Sequence, residues 1–146
     1  MPDAAINYTA DGWPYLDANN YVDVLDEYTV ALKDKLTRKE QELVPGTGWT
    51  TLTGGWTARV ARVGKTVFLS GIVTPAASPG LTVAPLPAWA EPRQHTLRFP
   101  AIAGGNFALG HLEITQAADA IRYTASLWSA TPSGGIWLAT TYEALN

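Results

Sequence analysis

The sequence predicts a mainly β protein. An extended N-terminal segment and one α-helix, a short coiled-coil stem, precede an antiparallel β-sandwich of jelly-roll-like character. Three observations predict it. Apolar residues recur at three- and four-residue spacing between Asn20 and Pro45. Six or seven short alternating segments separated by turn residues follow from Trp56 onward. Residues 1–19 are rich in Asp, Asn, Pro and aromatics and have no period. The expected organisation is therefore an anchor peptide at 1–19, a helical stem at 20–45, a Gly/Thr-rich linker at 46–55 and a β domain at 56–146.

In the first segment Asp11-Gly12 is a turn signal, and Trp13-Pro14-Tyr15 is expected to be extended because the residue before a proline avoids the helical region. A solvated tail has little use for Tyr8, Trp13, Pro14, Tyr15 and Leu16. These residues are the candidate docking set, either on the chain's own helix or on a partner.

The helix has a start signal in Asn19 or Asn20, with Asp23 near the positive end of its dipole, and a stop at Pro45-Gly46. Val22, Leu25, Thr29, Leu32, Leu36, Lys39 and Leu43 follow an a/d pattern. The apolar members Val22, Leu25, Leu32, Leu36 and Leu43 are the candidate oligomer seam. Two readings stand: an amphipathic helix packed on its own domain, or a short parallel bundle. The polar seam positions Thr29 and Lys39 leave the helix too weak to hold an oligomer alone.

In the β region, 56–63 and 66–74 flank the hairpin turn Gly64-Lys65, and 107–115 and 120–128 flank a turn at Ala118-Asp119. Residues 81–87, 95–102 and 135–145 supply further strands, the first broken by prolines. Ile121, Tyr123, Ala125 and Leu127 share one face of their strand, and Arg122, Thr124, Ser126 and Trp128 share the other. The segment 66–74 is apolar on both faces, with Val67, Leu69 and Val73 on one and Phe68 and Ile72 on the other. That pattern asks for a neighbour, either the helix or another subunit.

Composition narrows the function. At 47% apolar the chain is not disordered, and it has no apolar run long enough to span a membrane and no secretory signal. The net charge of −3 argues against a nucleic-acid partner. Residues 1–44 hold nine of the 13 acids and four of the 10 bases, so the stem half is acidic and the β half slightly basic.

With no cysteine there is no disulfide or thiol chemistry. His95 and His111 lack metal-site spacing. His111 beside Glu113 reads as a surface hydrogen-bonding pair. The serines lack a GxSxG turn. The acids of the β half, Glu91, Glu113, Asp119 and Glu143, are scattered over turn and alternating positions. No catalytic residue, metal or cofactor is expected.

The tryptophans remain. An indole on a β scaffold can stack on a sugar ring beside polar neighbours. Trp89, in a proline-flanked loop with Glu91, Arg93 and Gln94, is the candidate glycan contact. Trp56 and Trp137 read as core or subunit-interface residues.

The order GWPYLDANNYVD, VLDEYTVALKDKL, GWTTLTGGWTARVARVGKTVFLSGIV resembles small structural proteins of tailed bacteriophages, the tail-fibre and head-fibre type. The matching positions of the β half are Leu52–Trp56, Ala61-Arg62-Val63-Gly64, Val67-Phe68-Leu69-Ser70-Gly71, Leu86-Pro87, Glu91-Pro92-Arg93 and Trp137-Leu138. The family has Arg-Pro where this chain has Pro92-Arg93.

The resemblance implies a homotrimeric virion structural protein. Its N-terminal peptide would attach to another virion protein, and its β domains would face outward, often toward host-surface polysaccharide. It implies no catalytic residue. A tail-associated spike for host attachment is the first expectation. A capsid (head) decoration protein docked on the major capsid protein is the second, and a free carbohydrate-binding module the third.

Overall fold

A computed structural model describes residues 7–15 and 25–145. The chain forms two compact units, Met1–Arg38 and Lys39–Asn146.

In the first unit, strands β1 (Asn7–Tyr8) and β2 (Pro14–Tyr15) form a hairpin in which Asn7 opposes Tyr15. The expected Asp11-Gly12 turn closes it. Gly12 takes φ +72°, the Gly12 amide donates to the Thr9 carbonyl, and the Trp13 amide donates to Thr9 Oγ1 at 3.1 Å. Trp13 is partly exposed. Leu16 and Val22 lie outside the described residues.

Helix α1 spans Leu25–Leu36, and it ends well short of the expected Pro45. The Thr37 hydroxyl donates to the Lys33 carbonyl at the last turn. The next residues, Lys39–Glu42, are strand β3, antiparallel to β5 (Arg59–Val63). Leu43, expected on the seam, is buried in the core of the second unit, and its amide donates to the Ala58 carbonyl. The helix expectation therefore holds for the twelve residues Leu25–Leu36 and fails for Lys39 and Leu43, and one helix of this length does not show a coiled-coil stem. KEQE is as good a helix former as any stretch in the chain, but pairing with β5 overrides its propensity. Leu25, Leu32 and Leu36 stay on the helix; Leu32 is partly buried and Leu36 exposed.

The second unit adds β4 (Trp49–Thr51), β6 (Thr66–Ser70), β7 (Ile72–Pro75), β8 (Thr82–Pro85), β9 (Thr96–Ile102), β10 (Leu109–Thr115), β11 (Ala120–Trp128), β12 (Ile136–Trp137) and β13 (Thr140–Glu143). All pairings are antiparallel, in three sheets ordered β8-β11-β10-β9, β12-β7-β4 and β13-β6-β5-β3. The unit thus begins before the expected linker, and the linker itself supplies β4.

One core runs through all three sheets, with Val60, Val67 and Leu69, Val73 and Ile136, and Leu112, Ile114 and Ile121 among its members. Trp49 of the three-stranded sheet packs edge-on against Tyr123 of β11 at 5.7 Å, and Tyr123 in turn meets Trp128 at 6.0 Å. The Trp49 indole N–H donates to the Gly80 carbonyl. Tyr142 donates its hydroxyl proton to the Ala90 carbonyl at 2.6 Å, and burial pushes the phenol well above its ordinary pKa.

Two departures from simple alternation have identifiable causes. The doubly apolar run 66–74 is not one strand. Gly71, at φ +98°, turns the chain from β6 in one sheet to β7 in another, so Ile72 and Val73 are both buried by intramolecular packing. No room exists for a side chain there, because a Cβ would stand 2.3 Å from the Thr57 carbonyl oxygen.

Trp128, placed by alternation on the polar face, is buried. The β10–β11 register shifts between Gly110 and Leu112, so that Gly110 opposes Trp128. A Cβ on Gly110 would lie 2.2 Å from the Trp128 ring.

On the outer face of β9–β11, Glu113 accepts from Arg98 at 2.7 Å and from the Thr124 hydroxyl at 3.0 Å. The expected His111–Glu113 pair is replaced by these partners. The Arg98 hydrogen bond holds the Glu113 carboxyl below its ordinary value of 4.5, against a smaller opposing effect of desolvation. Because the folded pKa is the lower one, the carboxylate stabilises the fold above about pH 4.5 and loses that contribution as pH falls through the folded value.

Two outcomes are expected. Glu113→Gln lowers the melting temperature at pH 7, and the gap to wild type closes on acidification; a gap independent of pH would contradict the assignment. Gly71→Ala costs about 2–5 kcal/mol in a denaturant titration, combining a backbone clash with a left-handed conformation.

Candidate functional site

The sequence-nominated Trp89 lies in the single helical turn Ala88–Ala90. Its ring packs partly buried against the core, and its carbonyl accepts from Arg62 Nη1 at 2.6 Å. Burial lowers the Arg62 pKa from its ordinary value. Glu91 is partly buried.

Arg93 is exposed and pairs with Glu143 at 2.8 Å. It lines a cavity of about 470 Å³ with Pro92, Gln94, Leu97, Thr141 and Tyr142, a lining that includes neither Trp89 nor Glu91. The three nominated side chains are therefore not gathered around one cavity.

A larger groove, about 720 Å³, forms where the corner at Gly71 meets the loop before β5 and the connection from β12 to β13. Its aromatic wall is Trp56 and Trp137, 53% and 50% exposed. Of the expectation that both are core or subunit-interface residues, the core reading does not hold, because within this chain both residues are about half exposed.

The rings meet edge to face, with centroids 4.9 Å apart and planes at 89°. Each has a local reason for its position. Trp56 ends the short turn Gly54–Trp56, which Thr57 closes by donating its amide and its hydroxyl to the Gly54 carbonyl. Thr51 anchors the far end, where Oγ1 accepts the Ala58 amide at 2.8 Å and donates to the Ile72 carbonyl at 3.1 Å. Trp137 opposes Ile72 in the β12–β7 pair. Its neighbour Ile136 points into the core, so alternation turns the indole outward.

Gly71 joins the two arms. Its missing side chain admits Thr57 and Ala58, and its carbonyl accepts the Leu138 amide at 2.9 Å.

The polar wall is an ion triad. Glu42 opposes Arg59 across β3 and β5, and Glu40 is its diagonal neighbour. Arg59 donates to Glu42 at 2.9 Å and to Glu40 at 3.4 Å. All three side chains are substantially exposed, so the triad adds little stability; its interest lies in the hydrogen-bonding capacity it holds at the groove.

Sequence reasoning missed this site because Trp56 and Trp137 are distant in the chain and β3 was read as helix. The available signal was the alternation Ile136-in, Trp137-out. Among the described residues, no group of three or more acids and histidines is arranged to hold a metal, and no helix is long and apolar enough to cross a membrane.

The Trp pair is expected to show a coupling of about 0.5–1.5 kcal/mol in a double-mutant cycle of Trp56→Ala and Trp137→Ala, read by chemical denaturation. Additive losses would contradict the edge-to-face contact.

No family model matches the chain, and no curated protein matches it. Among solved structures, the receptor-binding protein (gp15) of Listeria phage PSA is similar, with a TM-score of 0.61 and 15% identity. The match covers 87% of this chain and 82% of that chain, and at this identity the likeness is one of fold.

Proposed function

We propose that this chain is a structural protein of a tailed-bacteriophage virion: a homotrimeric, tail-associated spike that takes part in host attachment. In this reading the β unit faces a host-surface polysaccharide, and the residues before the helix attach to another virion protein. The chain is a binding protein without catalysis. The observation that carries the reading is the likeness in fold, over most of both chains, to a phage receptor-binding protein. The order of N-terminal peptide, helix and β unit agrees with it.

Two features support self-association. Ile102 and Leu109 are exposed cross-strand neighbours at the loop end of the β9–β10 hairpin, and Phe107, in that loop, is 77% exposed. Phe107 sits at φ +55°, in a turn where the Asn106 side chain accepts the Ala108 and Ser133 amides and donates to the Thr131 carbonyl. An apolar surface built with such care is suited to cover by a second copy. Helix α1, at about 18 Å, is too short to hold a trimer alone and would align the copies.

Native mass spectrometry of the full chain is expected to give a trimer at micromolar concentration, and Leu109→Lys to weaken it. A stable wild-type monomer would overturn the trimer. Electron microscopy of virions labelled with an antibody to the β unit is expected to place the label on the tail. Label on the capsid would favour the decoration role, and unlabelled particles would remove the chain from the virion.

A further inference from the structure

We infer that the Trp56–Trp137 groove is a binding site for a neutral pyranose ring of a surface glycan; this rests on the attachment reading above and gives it a place and a ligand class.

Four features of the groove converge on that chemistry. Two half-exposed indoles at right angles form a corner. A pyranose carries C–H groups on its faces and hydroxyls around its rim. It can lie flat on one indole and set an edge against the other, burying apolar surface that this chain leaves wet. A contiguous exposed aromatic patch beside polar groups is the kind of surface that marks an interaction site.

The ion triad supplies the rim contacts. A carboxylate has about four lone-pair sites and a guanidinium five N–H donors, so the pair Arg59–Glu42 leaves capacity for hydroxyls that both donate and accept. A few polar groups beside a mainly apolar wall are the usual composition of a small-ligand site, and about 720 Å³ lies within the usual size range.

Charge selects the class. The ionisable lining consists of Glu40, Glu42 and Arg59, two carboxylates against one guanidinium. The Arg59 guanidinium is already engaged by Glu42 at 2.9 Å, so the lining holds no spare cation for phosphate, sulfate or uronate groups, and a neutral ring is favoured.

Gly55 is the fourth feature. Its backbone φ is not in the left-handed region, and a Cβ there would meet nothing within 4 Å. Neither conformation nor packing within the chain calls for a glycine, yet the residue lines the groove. An approach by something outside the chain would account for the missing side chain.

The test uses the full chain on a glycan array carrying neutral and anionic bacterial surface glycans, read alongside melting temperature and oligomeric state. Wild type is expected to bind neutral glycans and to leave uronate- and phosphate-bearing ones of the same backbone at least tenfold weaker. Trp137→Ala is expected to reduce binding at least tenfold. Gly55→Leu should do the same with an unchanged melting temperature, which a merely structural role would not produce. Trp89→Ala should leave binding intact.

Binding only to anionic glycans, binding retained in Trp137→Ala and Gly55→Leu, or no binding at all would each overturn the proposal. So would loss of the oligomer in those variants, which would make the groove a contact between copies. Soluble chain that still blocks phage adsorption when Trp137 is replaced would sink the site and spare the attachment role. Wild-type chain that never blocks adsorption would sink the attachment role itself.

Discussion

The second unit turns on a single backbone contact at Gly71. The chain leaves one sheet and enters another there, at φ +98°, with the Thr57 carbonyl and the Ala58 Cα packed where a side chain would be. The same residue accepts the Leu138 amide. Three stretches, around Ala58, Gly71 and Leu138, thereby meet at one residue. The consequences are structural and chemical together. The corner lets both Ile72 and Val73 be buried, and it brings the Trp56 loop and the Trp137 strand into edge-to-face contact. Only glycine supplies the conformation and the space at once.

Much of the β unit was legible in the sequence because its signals are local. The Gly64-Lys65 and Ala118-Asp119 turns, with Gly64 and Asp119 at positive φ, stand where composition placed them, and Ile121 and Tyr123 point inward as alternation requires. What stayed hidden depends on partners distant in the chain. Lys39–Glu42 has helical propensity and no apolar alternation. It becomes a strand because β5 offers an edge, and its charges suit an edge strand that must not pair with other chains. Leu43 fitted a helical seam by spacing alone, but the core of the second unit claims it.

The site was the least legible part. Counting tryptophans in polar loops favoured Trp89, whose ring packs against the core and whose carbonyl serves Arg62. Trp56 and Trp137 sit in strand-like contexts that ordinarily mean burial. Their exposure follows from the one-residue offset between Ile136 and Trp137 and from the short turn at Gly54, neither of which composition reveals. Trp128 shows the converse: alternation put it outside, and the irregularity of β11 between Tyr123 and Trp128, opposite Gly110 and Leu112, turned it in. Alternation is reliable until the register shifts.

A scaffold tied together by backbone contacts can carry a rigid aromatic corner at modest cost in conformational entropy, which suits the attachment role proposed above. The central claim is that this corner meets the host. The most direct test is the adsorption rate constant of virions assembled with Trp137→Ala in place of the wild-type chain. The account predicts at least a tenfold fall at normal particle yield and normal copy number of the chain. An unchanged adsorption rate on such particles would contradict it.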